Sequence, residues 1–207
     1  MSRVVKEPQM RRFEIILGAK KLFEEHGYEN TSVDSIIKEV GIAKGTFYYY
    51  FKTKKDILAA LVKHIGADIE LHFTSIVKLK NVPAIEKLRQ MIRGDEKKAK
   101  TSPSVMEIIH KPENRELQEQ LNIYTIECIA PLIAQVIEQG NKEGVFKAAT
   151  PIDSVQLLLA GSQFILDSGL FNWTADKRAT LLKALQASFE QTIGAKPGSL
   201  TFISDEK

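Results

Sequence analysis

The spacing of apolar residues near the amino terminus predicts an amphipathic helix over about residues 9–26. Its apolar positions recur at helical intervals and form one buried face: Ile15, Ile16, Ala19, Leu22 and Phe23. Gly27 follows the last of them and is expected to end the helix. Because one face is apolar and the other polar, this helix is expected to cover a core.

Residues 32–51 predict two short helices joined by a tight turn. The first has an apolar stripe at helical spacing, formed by Val33, Ile36, Ile37 and Val40. Ser32 precedes the stripe, where its hydroxyl can accept a hydrogen bond from a backbone N–H group that lacks a partner within the helix. Gly41 follows it, and glycine adopts the left-handed backbone of a helix end at little cost. The second helix is predicted from Lys44 to Phe51.

The second helix has the composition of a surface that contacts nucleic acid. It contains no acid, and Phe47 and Phe51 lie four positions apart, so they can pack inward together. The other positions offer an ammonium, a hydroxyl, phenols and a close approach, groups that suit phosphate oxygens and base edges: Lys44, Gly45, Thr46, Tyr48, Tyr49 and Tyr50. The alternative, an aromatic helix buried in a core, does not account for the lysines that follow at positions 52, 54 and 55.

The rest of the chain shows helical periodicity and no alternation typical of strands. A long helix is predicted from Thr53 to about Ile76, and it would connect the amino-terminal part to everything beyond. Further helices are expected at about 83–94, 103–110, 114–139, 151–169 and 175–193. Pro131 should distort the third of these because proline lacks a backbone donor, and Thr150 and Thr174 are candidate N-caps. The fold class is therefore all-α, with about nine helices.

The amino-terminal pattern resembles the TetR family of bacterial transcriptional repressors. The matching positions are Gly27-Tyr28, Thr31-Ser32-Val33, Ile36, Gly41 through Phe51, Lys54 and Leu58. They cover about residues 10–60 and agree in order and spacing. The remainder of the chain resembles the family only in its length and in its helical periodicity.

The resemblance implies two domains, a paired molecule and two kinds of partner. The domains would be a three-helix, helix-turn-helix DNA-binding domain at 9–58 and a helical ligand-binding and dimerisation domain at 59–194, with flexible termini at 1–8 and 195–207. The partners would be a palindromic double-stranded operator and an unknown small-molecule inducer that releases it. The homodimer would form through the last two helices, at about 151–169 and 175–193.

The expected DNA contacts follow from position in the family pattern and from residue type. Ser32 should bind a phosphate, the exposed side of the second helix should reach base edges and phosphates, and two following lysines should hold further phosphates. The full set is Ser32, Lys44, Gly45, Thr46, Tyr48, Tyr49, Tyr50, Lys54 and Lys55.

Two positions depart from the family pattern. Ala43 stands where the family often has a serine that caps the recognition helix. Asp34 lies in the first turn of the preceding helix, where some members carry a base that contacts DNA. An acid there favours the helix dipole but repels phosphate, so Asp34 is not included among the contacts.

Charge and cysteine content agree with this interpretation. Residues 1–60 hold 11 Lys and Arg against 8 Asp and Glu, whereas residues 61–207 hold 18 of each, so the formal excess lies in the segment with the motif. Cys128 is the only cysteine, which excludes an intramolecular disulfide and fits a reducing cytoplasm. We expect Cys128 to be a buried, inert thiol, with a redox sensor as the alternative. Neither a signal peptide nor a membrane span is expected.

A ligand pocket beside the kinked helix is predicted less sharply. Its candidate residues are Met91, His110, Leu117, Leu121, Tyr124, Cys128 and Phe164. For each of them taken alone, plain core packing is the competing interpretation. His64, Asp68 and His72 share one helix face at i, i+4 and i+8 and are weak candidates for a metal site, the competing interpretation being a solvated polar stripe.

These patterns favour a ligand-responsive repressor. An enzyme would need a nucleophile with a base, a metal cluster or a phosphate loop, and the sequence offers none of these, nor a cofactor motif. The alternatives that remain open are a DNA-binding regulator without an inducer and a regulator that senses a metal.

Overall fold

The computed structural model describes residues 7–93 and 114–205, and these ranges are helical without a strand. The elements are α1 (Pro8–His26), α2 (Val33–Val40), α3 (Lys44–Tyr50), α4 (Lys54–Val77), α5 (Ala84–Arg93), α6 (Arg115–Tyr124), a π-helical segment (Thr125–Ile129), α7 (Ala130–Glu143), α8 (Pro151–Ile165), α9 (Ala175–Ile193) and a 3₁₀ turn (Thr201–Ile203). The all-α fold class is confirmed. The helix predicted at 103–110 lies outside the described residues.

The described residues pack into two compact units. Residues 7–65 and 114–121 form the amino-terminal unit, and residues 66–93 and 122–205 form the carboxy-terminal unit. Two helical segments, α4 and the run that begins with α6, contribute residues to both units.

The amino-terminal unit has a core built by α1 to α4. Its buried apolar side chains are Ile15, Ile16, Ala19, Leu22, Phe23, Tyr28, Ile36, Phe47, Phe51, Ile57, Leu58, Leu61 and Val62. The apolar face predicted for the first helix is the face that is buried. Gly18 lets α1 approach α2 closely, since a Cβ atom there would lie within 2.5 Å of the Val40 side chain.

The carboxy-terminal unit is organised around α7. One face of α7 is buried, and its members are Ala130, Ile133, Ala134, Val136, Ile137 and Gly140. These residues pack in one core with side chains from α5, α8 and α9, among them Leu88, Val155 and Phe189. The helical run Arg115–Glu143 is long and apolar enough to span a membrane by length and composition alone. Its place in this core identifies α7 as the central helix of a globular unit.

The distortion predicted at Pro131 takes the form of a π-helical segment. Pro131 is the second residue of α7, and Thr125–Ile129 precede it with widened turns. Proline cannot donate a backbone hydrogen bond, and its ring crowds the preceding turn. A π-helical turn lies immediately before that disruption and lets the helix continue.

The last two α-helices, α8 and α9, have their predicted bounds except at the end of α8. Thr174 caps α9 as predicted, since its hydroxyl accepts from the Lys177 N–H at 3.2 Å. The helix predicted to run to residue 169 ends instead at Ile165, because the Asp167 side chain accepts the Gly169 N–H at 2.7 Å and stabilises a turn. The predicted side-chain cap by Thr150 is wrong, because no hydrogen bond to its hydroxyl forms there.

The residues after Gly194, predicted to be mobile, pack on the carboxy-terminal unit as far as residue 205. The buried carboxylate of Glu190 accepts the backbone N–H groups of Gly198 and Leu200, both at 2.9 Å. Leu200 and Phe202 are buried, and the Arg93 Nε donates to the Phe202 carbonyl oxygen at 3.0 Å. Sequence reasoning missed this because Pro197 and Gly198 indicate a loop, whereas the Arg93 contact comes from a helix that lies 109 positions away.

Candidate nucleic-acid interface

A reciprocal cap fixes the start of α2. The Ser35 N–H donates to the Ser32 hydroxyl at 3.0 Å, and the Ser32 N–H donates to the Ser35 hydroxyl at 3.1 Å. This capping box confirms the predicted role of Ser32 as N-cap. At the other end Gly41 has φ 68°, the left-handed conformation predicted for it. Local chemistry thus fixes both ends of α2.

The inner side of α3 attaches it to the amino-terminal unit. Phe47 lies within α3 and Phe51 directly follows the helix. Both side chains are buried, and their ring centroids are 6.3 Å apart. The Arg12 guanidinium lies 4.9 Å from the Phe51 ring centroid, a cation–π contact. Both phenylalanines therefore occupy the core positions that the sequence predicts.

The outer side of α3 presents the predicted polar and aromatic surface to solvent. Tyr49 is 74% exposed and its ring meets that of Tyr50 edge to face, with centroids 4.9 Å apart. Tyr48 and Lys44 are also exposed, whereas Thr46 is half-buried. No other described part of the amino-terminal unit packs over the exposed side chains of this phenol-rich surface.

Gly45 is the clearest sign that the α3 surface meets a partner. Glycine inside a helix is less stable than alanine by about 0.5–1 kcal/mol. A Cβ atom at Gly45 would meet no other described residue within 4 Å, so no contact among residues 7–93 and 114–205 requires glycine there. An external surface that approaches the backbone closely is a physical reason to keep it.

The α3 helix begins without a side-chain cap, as the substitution of Ala43 in the family pattern predicts. The Thr46 N–H and the Phe47 N–H both donate to the Ala43 carbonyl oxygen, at 2.9 and 3.2 Å. Lys44 and Gly45 at the start of α3 are exposed, and the first N–H groups of a helix have no partner within it. Backbone donors at a helix start suit a phosphate oxygen.

The basic residues near α3 have different partners. The Lys44 ammonium lies 3.2 Å from a carboxylate oxygen of Asp34. The Lys52 ammonium donates to the Tyr48 carbonyl oxygen at 2.6 Å. The Lys55 ammonium lies 3.4 Å from Glu116 but remains largely exposed. Lys44 and Lys55 keep much of their side chains accessible for a polyanion.

Lys54 is more tightly held than the sequence suggests. Its ammonium donates to the carbonyl oxygen of Tyr28 at 2.8 Å and lies 4.1 Å from the centroid of the Tyr28 ring. It also reaches the Glu29 carbonyl oxygen at 3.4 Å. A predicted phosphate partner therefore also fastens α4 to the loop that precedes α2.

The loop around Tyr28 also receives the start of α6. The Tyr28 N–H donates to the Asn114 side-chain oxygen at 2.8 Å, and the Asn114 amide donates to the Phe23 carbonyl oxygen at 3.3 Å. Burial, followed by the nearby carboxylate of Glu116, raises the pKa of the Tyr28 hydroxyl to about 12. Asn114 and Glu116 were missed at the sequence level because they lie more than 80 positions from Tyr28, and no local pattern marks them.

The carboxy-terminal unit brings together two of the predicted pocket residues. The Tyr124 hydroxyl donates to the Glu70 carboxylate at 2.7 Å, and the Cys128 thiol lies close enough to interact with the same hydroxyl. Burial, followed by the hydrogen bond to Glu70, raises the pKa of Tyr124. The Tyr124 ring lies against Gly66, where a Cβ atom would clash with it. Glu70 was missed by the sequence analysis.

The other predicted pocket residues are dispersed. Leu117 is buried in the amino-terminal unit, and Leu121 is half-buried at the end of the same unit. Met91 is buried in the main core of the carboxy-terminal unit. Phe164 is 61% exposed and packs edge to face on Phe171. His110 lies outside the described residues.

The candidate metal residues do not form a cluster. His64 packs edge to face against Phe13, with ring centroids 5.1 Å apart, and His72 lies against Phe73. Asp68 is exposed on α4. Within residues 7–93 and 114–205, no group of three or more His, Cys, Asp or Glu side chains is placed to hold a metal ion.

Two family profiles match the chain. Residues 15–61 match the bacterial regulatory proteins of the tetR family, and residues 97–190 match the C-terminal domain described as tetracyclin repressor-like. The first match contains α2, α3 and the capping box. The second covers much of the remaining helical part.

Curated relatives are also regulators. The chain is 26% identical over 190 residues to the fatty acid metabolism regulator protein of Bacillus subtilis (strain 168), which covers 89% of this chain and 94% of that protein. It is 37% identical over 81 residues to an HTH-type transcriptional regulator of Staphylococcus aureus (strain USA300), covering 39% of this chain and 40% of that protein.

Solved structures share the fold over nearly the full length. RolR in complex with resorcinol superposes with a TM-score of 0.65 at 16% identity, over 96% of this chain and 95% of that chain. SmeT, the repressor of the Stenotrophomonas maltophilia multidrug efflux pump SmeDEF, gives 0.60 at 20% identity, over 91% and 92%. With the capped helix pair, the exposed α3 surface and matches in both parts of the chain, this protein belongs to the tetR family of bacterial regulatory proteins and is a DNA-binding transcriptional regulator.

Proposed function

We propose that the protein represses its target genes by binding a palindromic operator as a homodimer and leaves the operator when a small molecule binds. The observation that carries the proposal is the exposed α3 surface around Gly45, a position where no contact among the described residues requires glycine. In this proposal Lys44, Thr46 and Tyr48 reach base edges in the major groove, the commonest site of direct readout. The protein would act in the cytoplasm, where its operator DNA lies.

The phosphate contacts of the proposal surround that surface. Tyr49, Tyr50 and the start of α2 at Ser32 offer hydroxyl and backbone donors, and Lys55 offers an exposed ammonium. Such contacts fix register on the duplex and carry no sequence information. Lys54 would contribute by holding the Tyr28 loop in place, with any phosphate contact secondary to that role.

We propose that α8 and α9 form the dimer interface. On α8, Leu157 is 75% exposed and Phe164 is also exposed, which is unusual for apolar side chains on a helix next to the core. A Cβ atom at Gly161 on the same helix would meet nothing within 4 Å. Exposed apolar side chains beside a glycine that no described neighbour requires support the proposal that a second helix packs closely against α8, as in a two-fold interface.

We propose that the effector is a small, largely apolar molecule recognised near Tyr124 and Glu70. These two polar side chains lie beside the π-helical segment and among half-buried apolar residues such as Phe73. Apolar walls with a few placed polar groups are typical of small-molecule sites, and π-helical turns are frequent at functional sites. The likeness to a fatty acid metabolism regulator favours a fatty-acid-related effector and gene set.

The proposed release requires that the effector prefer one of two states of the dimer. A ligand shifts an equilibrium only by its difference in affinity for the two states. A coupling free energy of ~1–3 kcal/mol would change DNA affinity about 5- to 150-fold. The helix α4, which contributes residues to both units, is the segment through which we expect that coupling to act.

Selection of bound duplexes from a random pool tests the proposal. We expect enrichment of one palindrome whose half-sites are about 34–36 Å apart, one turn of the duplex. Fluorescence anisotropy with that palindrome would then be repeated with palmitate and, separately, with resorcinol. Enrichment of no sequence at low salt would contradict the proposed DNA readout. Ligand binding is detected by a rise in the melting temperature of the protein. If the protein still binds the operator at saturating concentrations of every ligand detected in this way, release by an effector is contradicted.

A further inference from the structure

An acidic residue lies on the surface that carries the proposed DNA contacts. Asp34 is the second residue of α2 and Lys44 is the first residue of α3, and the two side chains meet at 3.2 Å. Both are largely exposed, on the side where Ser32 and α3 also face solvent. A carboxylate there repels a phosphate backbone, so its presence needs a physical reason.

Helix stability provides only part of that reason, since an acid in the first turn of α2 favours the helix dipole wherever its side chain points and does not require contact with Lys44. Ion pairs between exposed side chains contribute little to folding. Two of the orphan N–H groups at the start of α2, those of Ser32 and Ser35, are served by the capping box without any contribution from the Asp34 side chain. The other acid of α2, Glu39, instead binds Lys21 on α1 at 2.7 Å. Asp34 is therefore the acid of α2 that is held against a residue of α3.

We propose that Asp34 is a specificity-determining positioning residue that aims the Lys44 ammonium at a base edge. The inference rests on the proposed function, since it requires α3 to face DNA. A lysine ammonium has three donors on a flexible stem. The bond to Asp34 uses one donor and leaves two, which suit the O6 and N7 acceptors of a guanine.

The same carboxylate discriminates against duplexes that lack the matching base. An unrestrained lysine gains binding energy from any nearby phosphate, which strengthens binding to all sequences alike. Held by Asp34, the Lys44 ammonium is partly neutralised and is directed away from phosphates. The pair therefore weakens binding to non-operator DNA more than binding to the operator, and the ratio of the two affinities rises.

The test compares Asp34→Asn with wild type in the full-length protein, using the selected operator and a scrambled duplex of equal length. We expect the variant to bind the scrambled duplex about three- to tenfold more tightly, with a salt dependence steeper by about 0.9, the slope of one added phosphate contact. Operator affinity should change by less, and discrimination at one base pair should fall. Glu39→Gln removes the same charge from the same helix and should leave the affinity ratio unchanged.

A second background separates positioning from general repulsion. In a Lys44→Met protein, Asp34→Asn should no longer change the discrimination at that base pair, because its target is gone. An equal gain in affinity with and without Lys44, or an unchanged affinity ratio in Asp34→Asn, would overturn the inference. Wild-type protein that binds no duplex selectively would instead overturn the proposed function, so the two failures are distinguishable.

Discussion

The ammonium of Lys54 donates to the Tyr28 carbonyl oxygen at 2.8 Å and lies 4.1 Å from the centroid of the ring of the same residue. One side chain at the start of α4 thereby closes the loop between α1 and α2. A single hydrogen bond to a charged group contributes about 1.5–3 kcal/mol, and a cation–π contact about 0.5–1 kcal/mol at exposed sites. Lys54 is therefore a structural residue of the helix-turn-helix unit as well as a neighbour of its DNA face.

Replacement of Lys54 should lower stability and DNA binding together. We expect Lys54→Met to destabilise the protein by about 1–3 kcal/mol, because a charged hydrogen bond to a backbone carbonyl is lost. Thermal unfolding measures the effect. Lys55→Met removes the same charge one position later, where the side chain is exposed, and should change stability by no more than about 0.5 kcal/mol. Equal melting temperatures for the two variants would show that Lys54 has no structural role.

Gly45→Ala should separate stability from function. A Cβ atom at this position meets none of the residues that the structure describes, so alanine should stabilise the folded protein by up to about 0.5–1 kcal/mol through helix propensity. The same methyl group would lie between the α3 backbone and DNA, and operator affinity should fall by about tenfold, or about 1.4 kcal/mol. Chemical denaturation and anisotropy measure the two effects. A variant that gains stability and binds its operator as wild type does would remove Gly45 from the interface.

Leu157→Lys should convert the dimer to monomer. This position is 75% exposed on α8, and the proposed interface would bury the introduced ammonium, which is costly without a partner. We expect the dimer dissociation constant, measured by sedimentation velocity, to rise at least about tenfold. Leu71→Lys is a matched control, because Leu71 is 69% exposed on α4, outside the proposed interface. Dissociation by the control and not by Leu157→Lys would place the interface elsewhere.

Deprotonation of Tyr28 should destabilise the protein at high pH. Burial, followed by the nearby Glu116 carboxylate, raises the pKa of its hydroxyl to about 12 in the folded state, against about 10 when unfolded. A pKa that is higher in the folded state means that the unfolded state loses the proton first. The stability from this hydroxyl is thus complete below about pH 10 and is lost as pH rises towards 12. Tyr28→Phe should flatten the dependence of stability on pH in that range, measured by denaturation at fixed pH values.

Local chemistry explains which features were predictable. Ser32 and Gly41 define the ends of α2 through residue types that favour a cap and a left-handed backbone, and both roles are read within a few positions of sequence. The exposure of Tyr49 follows from helical geometry next to Phe47. The fold class follows in the same way, from periodicities that need no knowledge of distant contacts.

Contacts between distant residues explain what was missed. The Arg93 Nε donates to the Phe202 carbonyl oxygen across 109 positions, and no pattern near residue 200 indicates that partner. Asn114 reaches the Tyr28 backbone across 86 positions. Pro131 correctly predicts a distortion, but the choice of a π-helical segment depends on how the surrounding turns pack. Four of the predicted pocket residues were chosen by spacing along one helix and the other three as residues of candidate neighbouring helices, and neither criterion determines the unit that each side chain joins.

Titration of the selected operator with wild-type protein and with a Tyr48→Ala, Tyr49→Ala double variant tests the central claim most directly. Both side chains are exposed on α3, and the Tyr48 ring meets that of buried Phe47 edge to face, with centroids 5.3 Å apart. The free energy of unfolding of the double variant should therefore fall by no more than about 0.5–1.5 kcal/mol, the contribution of one such ring pair, which leaves the variant folded. The account predicts at least a tenfold loss of operator affinity by fluorescence anisotropy. Wild-type affinity in the folded double variant would contradict it, because the outer surface of α3 would then have no part in reading DNA.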